Sequence, residues 1–241
     1  MIAAAALREE TVFDPQAPSP SRDEALARYH RLREISVRHH ANALDFMAKD
    51  AVLDHARRLG LAQGKTLVLD SMDELTLAFD LAIYTAPAGR SRAIDRYANS
   101  ARFGQSAEEA VVLEAMRDAR FAVLVTQRRR PSAGLIVTDL FREIELWLVD
   151  EGLEASLPDG TAFATRYYAP GPFVMTAGVV VPIARGALTR AIESAPCLMR
   201  KSPADAVQDR RFAEAVYRGA IEDGTMERVS YRDPSGGDEE S

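Results

Sequence analysis

The sequence predicts an α+β fold: an N-terminal helical layer, a small antiparallel β-barrel of about five strands, and C-terminal helices packing back. Three observations carry this. Between residues 120 and 183, runs rich in β-branched and aromatic residues (FAVLVTQ, LIVTDLF, EIELWLVD, TAFATRYY, FVMTAGVVV) alternate with turn signals. On both sides, apolar residues recur near the 3.6-residue helical period. Capping-box pairs mark helix starts at Ser21 with Glu24, Ser71 with Glu74 and Ser106 with Glu109.

The elements follow in order. Residues 1–20 read as a mobile leader, because Pro15, Pro18 and Pro20 remove backbone donors and favour extended neighbours. The helical region spans 21–119. Its first helix carries a stripe of Leu26, Tyr29, Val37, His40, Leu44, Met47 and Ala51, and either runs unbroken to Gly60 or breaks once near His39 and His40. Thr66–Leu69 is a short strand or a connector. The helix after Ser71 is apolar on nearly every side, which predicts a central, buried position. Two shorter helices lead to the strand block at 120–183. There Ile144, Leu146 and Leu148 alternate with Glu143, Glu145 and Trp147, as in an antiparallel sheet with one buried face. Closing the strands into a barrel would remove exposed edges. C-terminal helices fill 184–224, one of them running from Ser202 to Gly224 with Pro203 at its first position. The acidic stretch 225–241 has little to bury and reads as a disordered tail.

Composition bounds the function. Hydrophobic residues make up 47% and charged residues 27%, ordinary for a globular chain with its own core. The lone cysteine, Cys197, excludes an internal disulfide or a thiolate metal cage, and its apolar neighbours disfavour the thiolate. The start MIAAAALREE lacks the form of a signal peptide, and no run approaches the length of a membrane span, so a cytoplasmic location without membrane contact is expected. The net charge of −6 sits mostly in the tail, leaving the body near neutral, with no global basic field to attract nucleic acid.

The succession DELTLAFDLAIY, GRSRAIDRYA, SAEEAVVLEAM, ARFAVLVTQ, GLIVTDLF, LPDGTAFATRYY and FVMTAGVVVPI resembles a group of uncharacterised bacterial proteins, over roughly residues 73–183. Some of those proteins end in a small cysteine-rich SEC-C zinc motif. The resemblance implies a barrel-like module after helices and assigns no activity. No cysteine follows Cys197 here, so zinc by that route is absent.

Candidate chemistry is sparse. Asp70, Asp73 and Glu74 form the densest acidic cluster outside the tail, but Ser71 and Glu74 already suit a helix start, and acidic groups there offset the positive helix end. Asp80 stands in an almost wholly apolar helix and needs a partner, expected from Arg90, Arg92 or Arg96. Left unpaired in a cleft, it would be the first catalytic suspect. His39 and His40 point about 100 degrees apart on a helix, so one faces the core and one solvent. His30 with Glu34 reads as a surface contact, and no metal or cofactor is expected. Arg128, Arg129 and Arg130 sit at a hairpin tip where phosphate is easily met, and Tyr167, Tyr168 and Phe173 offer stacking faces. Against that, residues 120–182 hold six arginines and seven acidic groups, and a solvated turn explains the triplet better.

The leading expectation is a non-catalytic binding or regulatory protein that meets protein partners through the barrel surface. Single-stranded RNA or DNA binding through Arg128–Arg130 and the aromatics is the second. A hydrolase using Asp70, Asp73 or Asp80 with His39 or His40 is the third.

Overall fold

The computed structural model describes residues 20–101 and 105–224, apart from the side chains of Arg185, Cys197 and Met199. The expected leader (all but Pro20), the acidic tail and the reading of Cys197 lie outside the described residues.

Helix α1 (Arg22–Leu44) begins on the expected box: the Glu24 amide donates to Ser21 Oγ at 3.3 Å, and the Ser21 amide donates to Glu24 at 2.8 Å. Its buried face is Ala25, Tyr29, Leu32, Ile35, Ser36, His39 and Ala43. The expected stripe was rotated by about one residue, and Val37 and Leu44 are exposed. The helix passes straight through both histidines and stops before Asp45. Helix α2 (Ala51–Leu59) then closes on Gly60, whose φ of 84° is the left-handed cap that glycine favours. A minimal hairpin, β1 (Ala62–Gln63) with β2 (Thr66–Leu67), leads to α3 (Met72–Tyr84). As its composition predicts, α3 is buried over most of its length, from Leu77 to Tyr84. Helices α4 (Ala93–Ser100) and α5 (Ala107–Arg117) complete this layer.

The strands are β3 (Arg120–Arg129), β4 (Leu135–Asp139), β5 (Ile144–Leu148), β6 (Ala162–Tyr168) and β7 (Met175–Pro182), all close to their expected positions. They form one antiparallel sheet in the order β5-β4-β3-β6-β7. This corrects the barrel. An odd number of alternating strands can close only through a parallel pair, and the edge strands β5 and β7 do not pair; a single isolated parallel bridge joins Leu148 to Val174, just before β7. A short helix, α6 (Glu151–Ser156), lies between the expected strand end at Asp150 and the expected turn at Pro158, where no helix was expected, and is capped by the Asp150 side chain.

Both sheet faces are covered. Ala122, Leu124, Val137, Leu146, Phe163 and Tyr167 pack together under Leu153 of α6. Opposite, Phe121 and Val123 meet the helices, as do Ile136, Trp147 and Met175 further along. The C-terminal helices are α7 (Arg185–Glu193), α8 (Pro203–Gln208) and α9 (Arg210–Glu222). The single helix expected after Ser202 is broken at Asp209, which ends α8 and caps α9 through a 3.1 Å bond from the Arg211 amide. That break places two arginines at a helix start.

Candidate functional site

The site begins with the charge that α3 buries. Asp80 receives Arg166 of β6 in a two-pronged pair, Nε to Oδ1 at 3.0 Å and Nη2 to Oδ2 at 3.0 Å. The Tyr217 hydroxyl of α9 donates to Asp80 Oδ2 at 3.0 Å. The guanidinium lies 4.8 Å from the centre of the Tyr84 ring, and the Tyr84 hydroxyl is 2.7 Å from His40 Nε2. A buried pair survives only when its geometry and remaining valences are satisfied, and this one has a fork, a hydroxyl and an aromatic face. Burial opposes the Arg166 charge, but the adjacent carboxylate outweighs it and raises the pKa. Burial pushes the Tyr84 and Tyr217 phenols well up, and pulls His40 down to about 4. The expected partners of Asp80 were the wrong arginines. Arg92 is held by Asp95 at 2.7 Å, and Arg96 donates to the Phe46 carbonyl at 3.0 Å.

Arg166 is 4% exposed, and its third nitrogen, Nη1, makes no hydrogen bond within the described residues and is not sealed among the orphaned buried atoms. Arg166 lines a cleft, so this N–H pair is the one left for a visitor. The cleft has two adjoining lobes of about 760 and 710 Å3, sizes usual for small-ligand sites. The first lies beside α2; the second reaches from the α3–α4 loop to the α8–α9 break. Thr85, Ala86, Arg90 and Arg210 line both.

Together the lobes carry eight basic and four acidic side chains, in a chain whose net charge is −6. Most of these cations are engaged: Arg211 with Asp209 at 2.7 Å, Arg58 with Glu214 at 3.7 Å. Lys49, Arg90 and Arg210 have no ion pair or hydrogen bond from their side chains among the described residues. Arg210 sits in the first turn of α9, which holds no acidic residue, so its charge adds to the positive end of the helix. His55 of α2 lines the first lobe, is 9% exposed, and its Nδ1 is buried with no hydrogen-bond partner. Burial, then the charges of Arg58 and Arg210, bring its pKa down to about 4. The surplus of positive charge and the unbonded Arg166 Nη1 suit an anion.

The residues singled out from sequence fall elsewhere. Asp70 and Asp73 are exposed at the start of α3 and line neither lobe; the Asp70 amide donates to Glu74 at 2.9 Å, and the Asp73 amide to Ser71 Oγ at 3.0 Å. Neither histidine turns to solvent: His39 is buried, with Nδ1 2.8 Å from the Tyr97 hydroxyl and Nε2 3.0 Å from the Glu109 carbonyl, and His40 is half-buried against Tyr84. Burial lowers the His39 pKa. His30 meets Glu151 at 3.0 Å rather than Glu34. Asp70, Asp73, Asp80, His39 and His40 line neither lobe. Arg128 faces Glu145 at 3.7 Å, Arg129 donates to the Glu154 carbonyl at 3.2 Å, and Arg130 stacks 4.2 Å over Trp147. Tyr167, Tyr168 and Phe173 are buried in the core, which corrects their reading as stacking faces. Among the described residues no group of three or more His, Cys, Asp or Glu is placed to hold a metal, and no helix is long and apolar enough to cross a membrane.

Sequence reasoning missed Arg210 and His55 as cleft residues, and named Arg90 only as a partner for Asp80. One signal was available: Arg210 and Arg211 open a helix, where cations are disfavoured. No curated protein and no solved structure matches the chain. The match over residues 23–227 is to a family of unknown function, DUF7986, and the chain belongs to that family.

Proposed function

We propose that this is a binding protein whose basic cleft takes a small anionic ligand. The observation that carries the reading is the Arg166 guanidinium, fixed by Asp80 and Tyr217, with Nη1 left unbonded at a cleft that also holds the unpaired Arg90 and Arg210. An arginine locked by a buried carboxylate pays little entropy to meet a second anion, and its planar fork suits carboxylate and phosphate. Recognition through the sheet surface loses support because helices and α6 cover both faces. Single-strand binding loses support because, among the described residues, no exposed aromatic flanks Arg128–Arg130 as a stacking platform.

Calorimetric titration of inorganic phosphate and citrate into the full chain tests the reading. Saturable binding is expected, weakened roughly tenfold or more by Arg90→Ala or Arg210→Ala, about 1.4 kcal/mol or more each. Arg128→Ala should leave it unchanged. Absence of binding at low ionic strength, or binding lost only with Arg128→Ala, overturns it.

A further inference from the structure

The apolar surface of the cleft is shared unevenly between its lobes. In lobe two the large apolar side chains belong to the core: Tyr84, Phe121 and Val207 are buried and leave the cleft little more than an edge. Lobe one differs. Phe46 and Met47, in the link between α1 and α2, line it and are only half-buried, as are Ala51 and Ala86. The link is fixed from behind. Arg96 of α4 donates through Nε to the Phe46 carbonyl at 3.0 Å, and the Phe46 ring centre lies 5.5 Å from that of Tyr97. A ring held by a second aromatic on one side offers its remaining surface to the lobe without further ordering.

The charges say where an anionic group belongs. The α2 wall of lobe one offers no unbalanced cation. Arg58 faces Glu214 at 3.7 Å, Asp54 is held by Arg57 at 2.8 Å, and Asp50 adds a carboxylate with no ion pair among the described residues. His55 is uncharged at any pH well above 4, and its free nitrogen is buried. Lys49 lacks an ion pair too, but it stands next to Asp50 in the chain. At the other end Arg166 already carries Asp80 as its counter-charge. Arg90 and Arg210, which line both lobes, are the cations left without one. One anionic group is therefore balanced where the lobes join, and a second, placed against Asp50 and Asp54, would be repelled. What lobe one accepts is an uncharged body. Phe46, the Met47 thioether and the neighbouring guanidinium of Arg90 all favour a π face there.

Resting on the anion-binding reading, we propose that the ligand is an aromatic acid with a single anionic group: the group sits at Arg90 and Arg210 where the lobes join, open to the Arg166 N–H pair from lobe two, and the ring lies in lobe one against Phe46 and Met47. Carboxylates and phosphates share the required head-group chemistry, and matched probes separate them.

The experiment is calorimetric titration into the full chain of acetate against benzoate, and of methylphosphonate against phenylphosphonate, so that the ring is added while the anionic group stays the same. In at least one pair the ringed probe should bind roughly tenfold or more tighter, the order expected from covering a ring and the wall it meets. Cyclohexanecarboxylate, as wide but without a π face, should bind more weakly than benzoate. Phe46→Ala should remove most of the advantage of the ring and leave the ringless probes unchanged. Met47→Ala, which keeps the Phe46–Tyr97 contact, should reduce that advantage severalfold, and circular dichroism melts show whether each variant is folded. Carbon-13 methyl spectra of the unaltered chain give a readout free of substitutions: benzoate, unlike acetate, should move the Met47 ε-methyl and Ala51 β-methyl signals by ring current. If ringed and ringless probes bind equally, if cyclohexanecarboxylate matches benzoate, or if those methyls stay still while the cleft arginines respond, the aromatic assignment is wrong although anion binding stands. If no probe binds at low ionic strength, both readings fall together.

Discussion

One buried ion pair, Asp80 with Arg166, joins α3 to the sheet. Asp80 and Arg166 are both almost fully buried, and removing either leaves the other without its counter-charge. Asp80→Ala should cost about 3–5 kcal/mol, read as a loss of denaturant midpoint. The double variant Asp80→Leu with Arg166→Met should be far less damaging than the sum, because no lone charge remains; an additive result would contradict the pairing. Two histidines make a separate prediction. His40 and His55 each titrate near 4 in the folded chain against 6.5 when free. Between those values the unfolded chain takes up protons that the folded chain does not, so stability falls as pH drops from 6.5 towards 4. His40 alone should account for about 3 kcal/mol of that loss. Urea midpoints followed across this window should fall less steeply in His40→Gln, and an unchanged slope would show that another group governs the acid limb.

At the scale of elements, the β3–β4 hairpin holds two adjacent residues with opposite demands. Gly134 has φ 76°, and a Cβ there would lie 2.2 Å from the Leu148 carbonyl oxygen, so no side chain fits. Ala133 beside it has φ 132°, a region that costs a residue with a Cβ of order 1–3 kcal/mol. Gly134→Ala should therefore destabilise by about 3 kcal/mol or more, whereas Ala133→Gly should stabilise by about 1 kcal/mol. Thermal melts of the two variants check the pair, and a fall in both would mean that the Ala133 conformation is unstrained. This hairpin also shows what could be read from sequence. The five strands and the capped starts of α1, α3 and α5 were legible because alternation and capping are local chemistry. The open sheet was not, since closure depends on how strand directions add up around the whole sheet. Helix α6 was masked by its shortness, and the break at Asp209 by a good helical stripe on either side of it.

At the scale of the molecule, charge is unevenly spread. The chain as a whole is acidic, yet the cleft between α2, the α3–α4 loop and the α8–α9 break is basic, and it joins segments more than a hundred residues apart. Its residues were invisible as a set in the sequence for that reason: Arg90, Arg166 and Arg210 meet only after β6 and α9 have packed on α3. The arginine triplet that stood out in the chain is instead spent on local carbonyls, Glu145 and the Trp147 face. Low salt should strengthen ligand binding, because charges at an open cleft are screened over roughly 10 Å at 0.1 M ionic strength. The most direct test follows the arginine Nε–H signals of the full chain by nitrogen-15 NMR while inorganic phosphate is added. The account predicts saturable shifts at Arg166, Arg90 and Arg210 with Arg128 and Arg129 unmoved; shifts confined to Arg128–Arg130, with the cleft arginines silent, would contradict it.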